Sequence, residues 1–280
     1  MIFLDQPIDV GYSYVSNTTD GVNNTPVAAV DVYAFLQIFV NRFAKYGDLP
    51  FHIAAESYGG AFAPHIASVI HKKNKDVVFA ASGLKTINLK SVIIGNGLTD
   101  PLVQMPSAVE FGCDSPFAVL DSKSPQCTAM RLGVPVCKQL IRSCYRFDSR
   151  VTCAPATLSC WGLYTPLYGM LLILYAHSMS LCSWAETGLN IYDMRKTCDR
   201  RPDRDGLYCY KELLWVEHWM NDPMVKHALG VDPARNYVSC NLDVNQAFMR
   251  QGDAMRNSAA LLPELINDGI RLLVYAGNNG

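Results

Sequence analysis

The sequence contains little charge, and its charge is balanced. Asp, Glu, Lys and Arg together make up 18% of the 280 residues, and the formal net charge is -1. A strongly basic surface, which binding to nucleic acid or to an anionic membrane would need, is therefore not predicted. We expect neither of these partners.

The patterns typical of metal sites are also missing. The ten cysteines include no Cys-x-x-Cys pair, and the six histidines form no cluster. Zinc binding is therefore not indicated, and we expect no metal and no cofactor. Ten cysteines are instead typical of disulfides that form in an oxidising compartment.

No apolar run is long enough to predict a membrane span. Residues 151–185 contain no Asp, Glu, Lys or Arg, but their apolar core ends at His177 and the serines around it. That core is about half as long as the roughly 20 residues that a membrane helix needs. We therefore expect no transmembrane helix.

The first hundred residues alternate between strand and helix patterns. Half of the chain is hydrophobic, which suffices for the core of one large domain with an insertion. Short apolar runs predict strands over residues 1–4, 51–55 and 89–94, and apolar residues at helical spacing predict helices over 25–43 and 61–71. This alternation predicts an α/β fold with a parallel sheet.

A sharp turn is predicted where the second of these strands ends. Ser57 follows the apolar run, with the small residues Ala55 and Gly59 two positions to either side. This approximates the Gly-x-Ser-x-Gly pattern of a nucleophile elbow, in which a strained turn presents a serine hydroxyl at the end of a strand. On spacing alone, a serine N-cap of the following helix explains the same residues equally well.

The chain resembles the serine carboxypeptidases along nearly its whole length. Glu56-Ser57-Tyr58-Gly59-Gly60 is similar to the nucleophile signature of that family, in which glycine normally stands where this sequence has Ala55. Four further blocks match in the same order: residues 2–7 with 11–14, 93–101, 192–196 and 273–277. The resemblance implies an α/β-hydrolase fold and a serine-type carboxypeptidase that removes C-terminal residues from peptides and proteins.

The resemblance also implies roles for individual residues. Ser57 would be the nucleophile that forms an acyl-enzyme, and the backbone N–H of Tyr58 would donate to the oxyanion. Glu56 would help to bind the terminal carboxylate of the peptide, whereas its simpler interpretation is a solvated acid beside a turn. Asn96 and Leu98 would border the substrate pocket, although the same loop is also explained as a structural turn.

Two catalytic groups of the family are not found in the sequence. The family's aspartate lies three residues beyond the position of Gly277, where this sequence has Gly280, and none of the six histidines stands in a matching context. The family's upstream glycine-rich block and a secretory signal are also not found before Met1. We therefore expect little or no peptidase activity from these 280 residues as written.

The resemblance divides the chain into three parts. Residues 1–106 would be the first part of the hydrolase core, 107–215 a loop-rich, cysteine-rich lid insertion, and 216–280 the return to the core. Within the insertion, residues 162–183 match nothing in the family and are either an apolar lid element or a gene-model artefact. The resemblance implies four disulfides: Cys113–Cys127, Cys137–Cys160, Cys144–Cys153 and Cys198–Cys209.

The sequence also contains features that concern glycosylation and the cellular compartment of the protein. Asn17 and Asn23 begin Asn-x-Thr triplets in a polar stretch, and such triplets are either glycosylation sites or chance occurrences. The resemblance and the cysteine content imply a vacuolar, lysosomal or secreted protein. Two other functions stay open: an acyltransferase that uses the same serine, and a non-catalytic protein that binds peptides or a partner.

Overall fold

The structure is a computed structural model that describes residues 1–15, 21–76, 83–168, 188–190, 192–199, 201, 204–206 and 209–278. Its strands are β1 (Phe51–Glu56), β2 (Leu89–Gly95), β3 (Leu189–Asn190), β4 (Asp193–Thr197) and β5 (Arg271–Tyr275). Its helices are α1 (Thr25–Arg42), α2 (Gly59–Lys75), α3 (Pro101–Val109), α4 (Pro125–Phe147), α5 (Arg150–Trp161), α6 (Thr165–Tyr168), α7 (Glu212–Met220), α8 (Pro223–Leu229), α9 (Leu242–Gln251) and α10 (Leu262–Asn267).

The central sheet is parallel, as the sequence predicted. In the described residues it has three strands in the order β1-β2-β5, and both pairs run in parallel. The central strand β2 is buried, and Val92 and Ile94 are each 1% exposed. All three strands end at one edge, since Glu56 pairs with Gly95 and Gly95 pairs with Tyr275. This is the carboxyl edge, where open α/β folds bind ligands.

The predicted first two helices are present, and together they cover the sheet. The side chain of Asn24 caps α1 by accepting the N–H of Val27, and Pro26 occupies the first turn. The cap therefore lies one residue before Thr25, where the predicted helix began. Buried side chains of α1 and α2, including Ala29, Leu36 and Ile70, form one hydrophobic core with β1 and β2.

The prediction of a strand over residues 1–4 is wrong. This segment is extended, but it pairs with no strand in the part of the chain that the structure describes. Met1 and Phe3 are exposed to solvent. An apolar run becomes a strand only where a neighbouring strand completes its hydrogen bonds, and no such strand lies beside these residues among those described.

The cysteine-rich segment is more helical than predicted. It was expected to be rich in loops, but α4 and α5 account for most of residues 125–161 and pack against each other as an antiparallel pair. Each helix begins with a serine cap, Ser124 for α4 and Ser149 for α5. The serine caps, rather than the density of cysteines, are the sequence signal for these two helices.

The described residues include four disulfides, and these are the pairs that the resemblance implied. Cys137–Cys160 and Cys144–Cys153 join α4 to α5, and Cys113–Cys127 joins the end of α3 and its π-helical extension to the start of α4. Cys198–Cys209 closes the segment that follows β4. The six cysteines of the first three bridges are buried. These bridges therefore cross-link helices whose own hydrophobic clusters are small.

Several sequence features fall outside the described residues. Asn17 is among them, as is most of the unmatched stretch 162–183, of which only residues 162–168 are described. Asn23 is described, and its side-chain oxygen accepts a hydrogen bond from Asn24 at 2.8 Å. Across the described segments, none of the helices has both the length and the apolar character that crossing a membrane requires.

Candidate active site

Ser57 lies in a strained turn between β1 and α2. Its φ of 59° is in the left-handed region, which residues other than glycine rarely adopt, and its side chain is exposed. The N-cap position of α2 belongs to Tyr58, and none of the described side chains caps this helix. The interpretation of Ser57 as an N-cap is therefore wrong, and the local geometry is that of an elbow.

Small residues permit this turn, as the sequence analysis argued. A Cβ atom on Gly59 would lie 2.7 Å from the Cβ of Ala55, so Ala55 is tolerated because Gly59 has no side chain. A Cβ atom on Gly60 would lie 2.6 Å from the backbone of Gly97 and Leu98. The start of α2 therefore contacts the loop after β2 directly, backbone against backbone.

The backbone of Ser57 joins the elbow to the neighbouring strand. Its N–H donates to the carbonyl of Gly95 at 3.1 Å, and its carbonyl accepts the N–H groups of Gly60 and Leu98, each at 3.0 Å. These bonds fix the backbone on both sides of the serine. Its hydroxyl stays at the carboxyl edge of the sheet.

Tyr58 contributes to the site through two different groups. Its backbone N–H has no hydrogen-bond acceptor among the described residues, and it directly follows the serine. Its phenol points into the protein and donates to Asp253 at 2.6 Å. Burial, and then the negative charge of Asp253, raise the pKa of Tyr58 well above its ordinary value. The phenol is therefore a permanent donor, while the N–H is available to a ligand.

The three residues that were assigned to substrate binding lie at the same edge. Glu56 ends β1, and its side chain is exposed next to Ser57. Asn96 follows β2 with a φ of 46°, and its side-chain oxygen accepts the N–H of Gly277 at 2.9 Å. Leu98 is half-buried against the cluster that contains α4 and α5. Leu98 therefore links the elbow to the disulfide-bonded helices.

Gln104 shapes the loop after β2, and no motif in the sequence indicates this role. The side-chain oxygen of Gln104 accepts the N–H groups of Thr99 and Asp100, at 2.7 and 2.8 Å. Its amide nitrogen donates to the carbonyl of Gly97 at 2.7 Å. One glutamine on α3 therefore completes three backbone bonds of this loop. Its sequence context, Pro101 in the first turn of a helix, indicated a helix start but not this contact.

No described histidine hydrogen-bonds to Ser57. His52 contacts Ser91 at 2.6 Å, His65 contacts the carbonyl of Ala61 at 3.0 Å, and His71 contacts Asp268 at 2.7 Å. His218 and His227 lie on α7 and α8, and His177 lies outside the described residues. The described residues therefore supply a candidate nucleophile and oxyanion donor, but no base within reach of the serine.

One group of side chains in the described segments has the composition of a cation site. His71, Glu264 and Asp268 bring their ligand atoms within 4.8 Å of one another. However, Lys75 donates to the same oxygen of Asp268 that His71 contacts. An ammonium group therefore already neutralises this carboxylate. The group is also about 18 Å along α2 from the elbow, at 1.5 Å per residue.

Comparisons with known proteins agree with this arrangement. The sequence profile described as serine carboxypeptidase matches residues 1–279. Carboxypeptidase Y from Komagataella phaffii is 37% identical over 279 residues, which are 99% of this chain and 47% of that protein. Carboxypeptidase Y homolog A from Uncinocarpus reesii is 38% identical over 281 residues, 99% of this chain and 45% of that protein. The chain thus spans about half the length of the curated relatives that it matches.

A solved structure shows the same fold. The crystal structure of a prohormone-processing carboxypeptidase from Saccharomyces cerevisiae superimposes with a TM-score of 0.75 at 21% identity, over 99% of this chain and 56% of that one. The parallel sheet and the elbow after β1 are thus those of an α/β-hydrolase fold. With the profile match over residues 1–279, the chain belongs to the serine carboxypeptidase family.

Proposed function

We propose that these residues form the nucleophile-bearing part of a serine-type carboxypeptidase, which removes C-terminal residues from peptides through an acyl-enzyme on Ser57. The observation that carries this proposal is the strained, exposed Ser57 followed by a backbone N–H that has no acceptor among the described residues. A nucleophile and an oxyanion donor on adjacent residues are what acyl transfer needs.

The described residues supply only some of the groups that this reaction needs. The Oγ atom of Ser57 attacks the scissile carbonyl while a base takes its proton, and the carbonyl oxygen becomes an oxyanion that the N–H of Tyr58 stabilises. The leaving amine then takes a proton, and water releases the acyl group in a second step. The base and the residue that orients it must come from outside the described residues. We expect the described residues alone to hydrolyse little peptide.

Substrate selection is assigned to the residues around the serine. Glu56 is exposed beside Ser57, where a protonated carboxyl group could hydrogen-bond the terminal carboxylate of a peptide. Asn96 and Leu98 border the same edge from the next strand. Capture of the terminal carboxylate is what would restrict the enzyme to peptide ends.

The disulfide-bonded segment is proposed to be the lid. Residues 107–215 include α4 and α5, whose shared cluster contacts Tyr58 and Leu98. This contact supports the division of the chain into core segments 1–106 and 216–280 with the lid between them. The four disulfides indicate folding in an oxidising compartment, as in secreted or vacuolar proteins.

The test uses the protein expressed from its complete gene. Purified protein is incubated with an N-blocked dipeptide, with the same dipeptide as a C-terminal amide, and with a fluorophosphonate that labels activated serines. We expect release of the C-terminal amino acid from the free acid, and labelling at Ser57. Ser57→Ala should abolish both signals, and Glu56→Ala, which removes the hydrogen-bonding group, should weaken binding of the free acid more than binding of the amide.

The same assay distinguishes the alternatives. Transfer of an acyl group from an activated ester to an acceptor, without hydrolysis of peptides, would assign an acyltransferase. Peptide binding without labelling of Ser57 would assign a non-catalytic binding protein. Equal peptide release by the Ser57→Ala variant would contradict the proposed role of the serine.

A further inference from the structure

Asp253 is a buried carboxylate that the proposed reaction does not use. It begins a single 3-10 turn, Asp253–Met255, directly after α9, and its side chain is 0% exposed. Burying a carboxylate without partners would cost several kcal/mol, so its partners indicate what it holds in place. Those partners come from two distant segments of the chain.

The first partner is the N-terminus of α1. Asp253 accepts the backbone N–H of Thr25 at 2.9 Å and the hydroxyl of Thr25 at 2.5 Å. Asn24 already caps this helix, so Asp253 adds a second acceptor at the positive end of the helix dipole. The start of α1 is therefore a fixed support for the carboxylate.

The second partner is the phenol of Tyr58. It donates to the same oxygen, Oδ2, that accepts the Thr25 hydroxyl. The ring of Tyr58 lies edge-on to Phe62 and Phe248, with centroids 5.3 and 6.2 Å away. The ring is thus held both by packing and by a charged acceptor. Since the backbone of Tyr58 carries the N–H beside Ser57, a fixed ring also fixes the direction of that N–H.

A positive charge accompanies the carboxylate. Nε of Arg256 lies 4.0 Å from Asp253, and this buried nitrogen has no hydrogen-bond partner in the part of the chain that the structure describes. The same guanidinium group donates to Asp148 at the end of α4. A guanidinium group shared with Asp148 therefore lies beside the carboxylate and leaves both of its oxygens as acceptors, and the cluster extends from α1 and the elbow to the disulfide-bonded helices.

We propose that Asp253 is a positioning residue: by holding the phenol of Tyr58 against the start of α1, it orients the backbone N–H of Tyr58 toward the oxyanion. This inference rests on the proposed function for its effect on catalysis. Its structural content is independent of that function, because it predicts an ordered elbow whether or not the serine reacts.

The first measurement is hydrogen exchange in the protein expressed from its complete gene. Asp253→Asn keeps the size of the side chain but removes its charge, and Tyr58→Phe removes only the phenol oxygen. Both should speed exchange of the bonded amides of Ser57, Gly60 and Leu98 by about tenfold, a loss of about 1.4 kcal/mol of local protection. Asp268→Asn is the control, since this carboxylate also accepts two side-chain bonds but lies at the far end of α2.

The second measurement is steady-state hydrolysis of an N-blocked dipeptide by the same variants. A misdirected oxyanion donor lowers kcat and leaves KM nearly unchanged, because the interaction forms in the transition state. We expect kcat to fall by about ten- to a hundredfold in Asp253→Asn and in Tyr58→Phe. The double variant should be no slower than the slower single variant, since both changes break one contact. Asp268→Asn should keep the wild-type kcat.

The outcomes separate the two proposals. If exchange at the elbow is unchanged in Asp253→Asn and Tyr58→Phe, or accelerates equally in Asp268→Asn, the positioning role is wrong. If exchange accelerates as expected but the wild-type protein shows no Ser57-dependent hydrolysis, the positioning of Tyr58 stands and the proposed function fails. If kcat stays at the wild-type value while only stability falls, Asp253 is a structural residue and the inference is overturned.

Discussion

The carbonyl oxygen of Ser57 accepts the N–H of Leu98 at 3.0 Å, so the elbow and the loop after β2 form one hydrogen-bonded unit. The N–H of Gly60 donates to the same oxygen. This arrangement requires the first turn of α2 to touch the loop. Gly60 makes the contact possible, because a Cβ atom there would lie 2.6 Å from the carbonyl carbon of Gly97.

A methyl group at Gly60 should separate these two segments. We predict that Gly60→Ala lowers the free energy of unfolding by about 2 to 3 kcal/mol, since overpacking against backbone cannot be relieved by a side-chain rotation. Urea unfolding measures this change. Gly162→Ala is the matched control: Gly162 has a φ of -58°, and no atom of the described residues lies within 4 Å of its added Cβ. Its stability should stay within about 0.5 kcal/mol of the wild type, and equal losses in the two variants would contradict the explanation.

Much of the fold could be predicted from the sequence, because local patterns determine it. The strands β1 and β2 are short apolar runs, and α1 starts with Asn24, Thr25 and Pro26, which are typical of a helix start. The strand over residues 1–4 was wrong because pairing depends on a neighbour that no local pattern reveals. The helices α4 and α5 were not predicted because a high density of cysteines is also typical of loop-rich segments, whereas their helical signal lies in the single serine caps.

The site was predictable only in part. Ser57 was found because the elbow is encoded by residues adjacent in sequence. Asp253 is 195 residues from Tyr58, and Gln104 contacts backbone groups rather than a recognisable motif. Contacts of this kind arise from tertiary packing, so a single sequence gives no signal for them. They nevertheless decide how the backbone around the serine is held.

The four disulfides should differ in their resistance to reduction. The cysteines of the three bridges around α4 are buried, whereas Cys198 is partly exposed. A thiolate must reach a sulfur atom to open a bridge, so access controls the rate in the native state. We predict that dithiothreitol reduces Cys198–Cys209 first under native conditions. Alkylation at timed intervals followed by mass spectrometry gives the order, and earlier loss of Cys144–Cys153 would contradict it.

The stability of the protein should fall as His65 becomes protonated. Burial lowers the pKa of His65 below its ordinary value, although its ring also contacts the carbonyl of Ala61. The folded state therefore binds this proton less readily than the unfolded state. Its contribution to stability is present above the unfolded pKa of about 6.5 and is lost as the pH falls through that value toward the lower folded pKa.

We therefore predict a smaller pH dependence when this histidine is replaced. His65→Gln keeps a donor of similar length but cannot titrate. The difference in unfolding free energy between pH 8 and pH 5 should be smaller in this variant than in the wild type, as measured by urea unfolding at both values. If this difference is the same in the two proteins, the pKa of His65 does not change on unfolding, and the prediction is wrong.

The strained backbone conformation of Ser57 should lower the stability of the folded protein, and a glycine at this position should relieve the strain. At a φ of 59°, any side chain with a Cβ atom is strained by about 1 to 2 kcal/mol, whether it is serine or alanine. Glycine removes that strain but has more freedom in the unfolded chain, which offsets part of the gain. We predict that Ser57→Gly is about 1 kcal/mol more stable than Ser57→Ala.

Ser68 provides the matched comparison, because it lies in the middle of α2. There the order should reverse, with Ser68→Gly about 1 kcal/mol less stable than Ser68→Ala, since glycine is unfavourable inside a helix. Urea unfolding of all four variants tests both signs. If glycine were the less stable residue at both positions, Ser57 would not be strained. If the signs differ as predicted, the strained turn at Ser57 lowers the stability of the fold. The same turn presents the hydroxyl of Ser57 at the edge of the sheet, where the proposed reaction needs it.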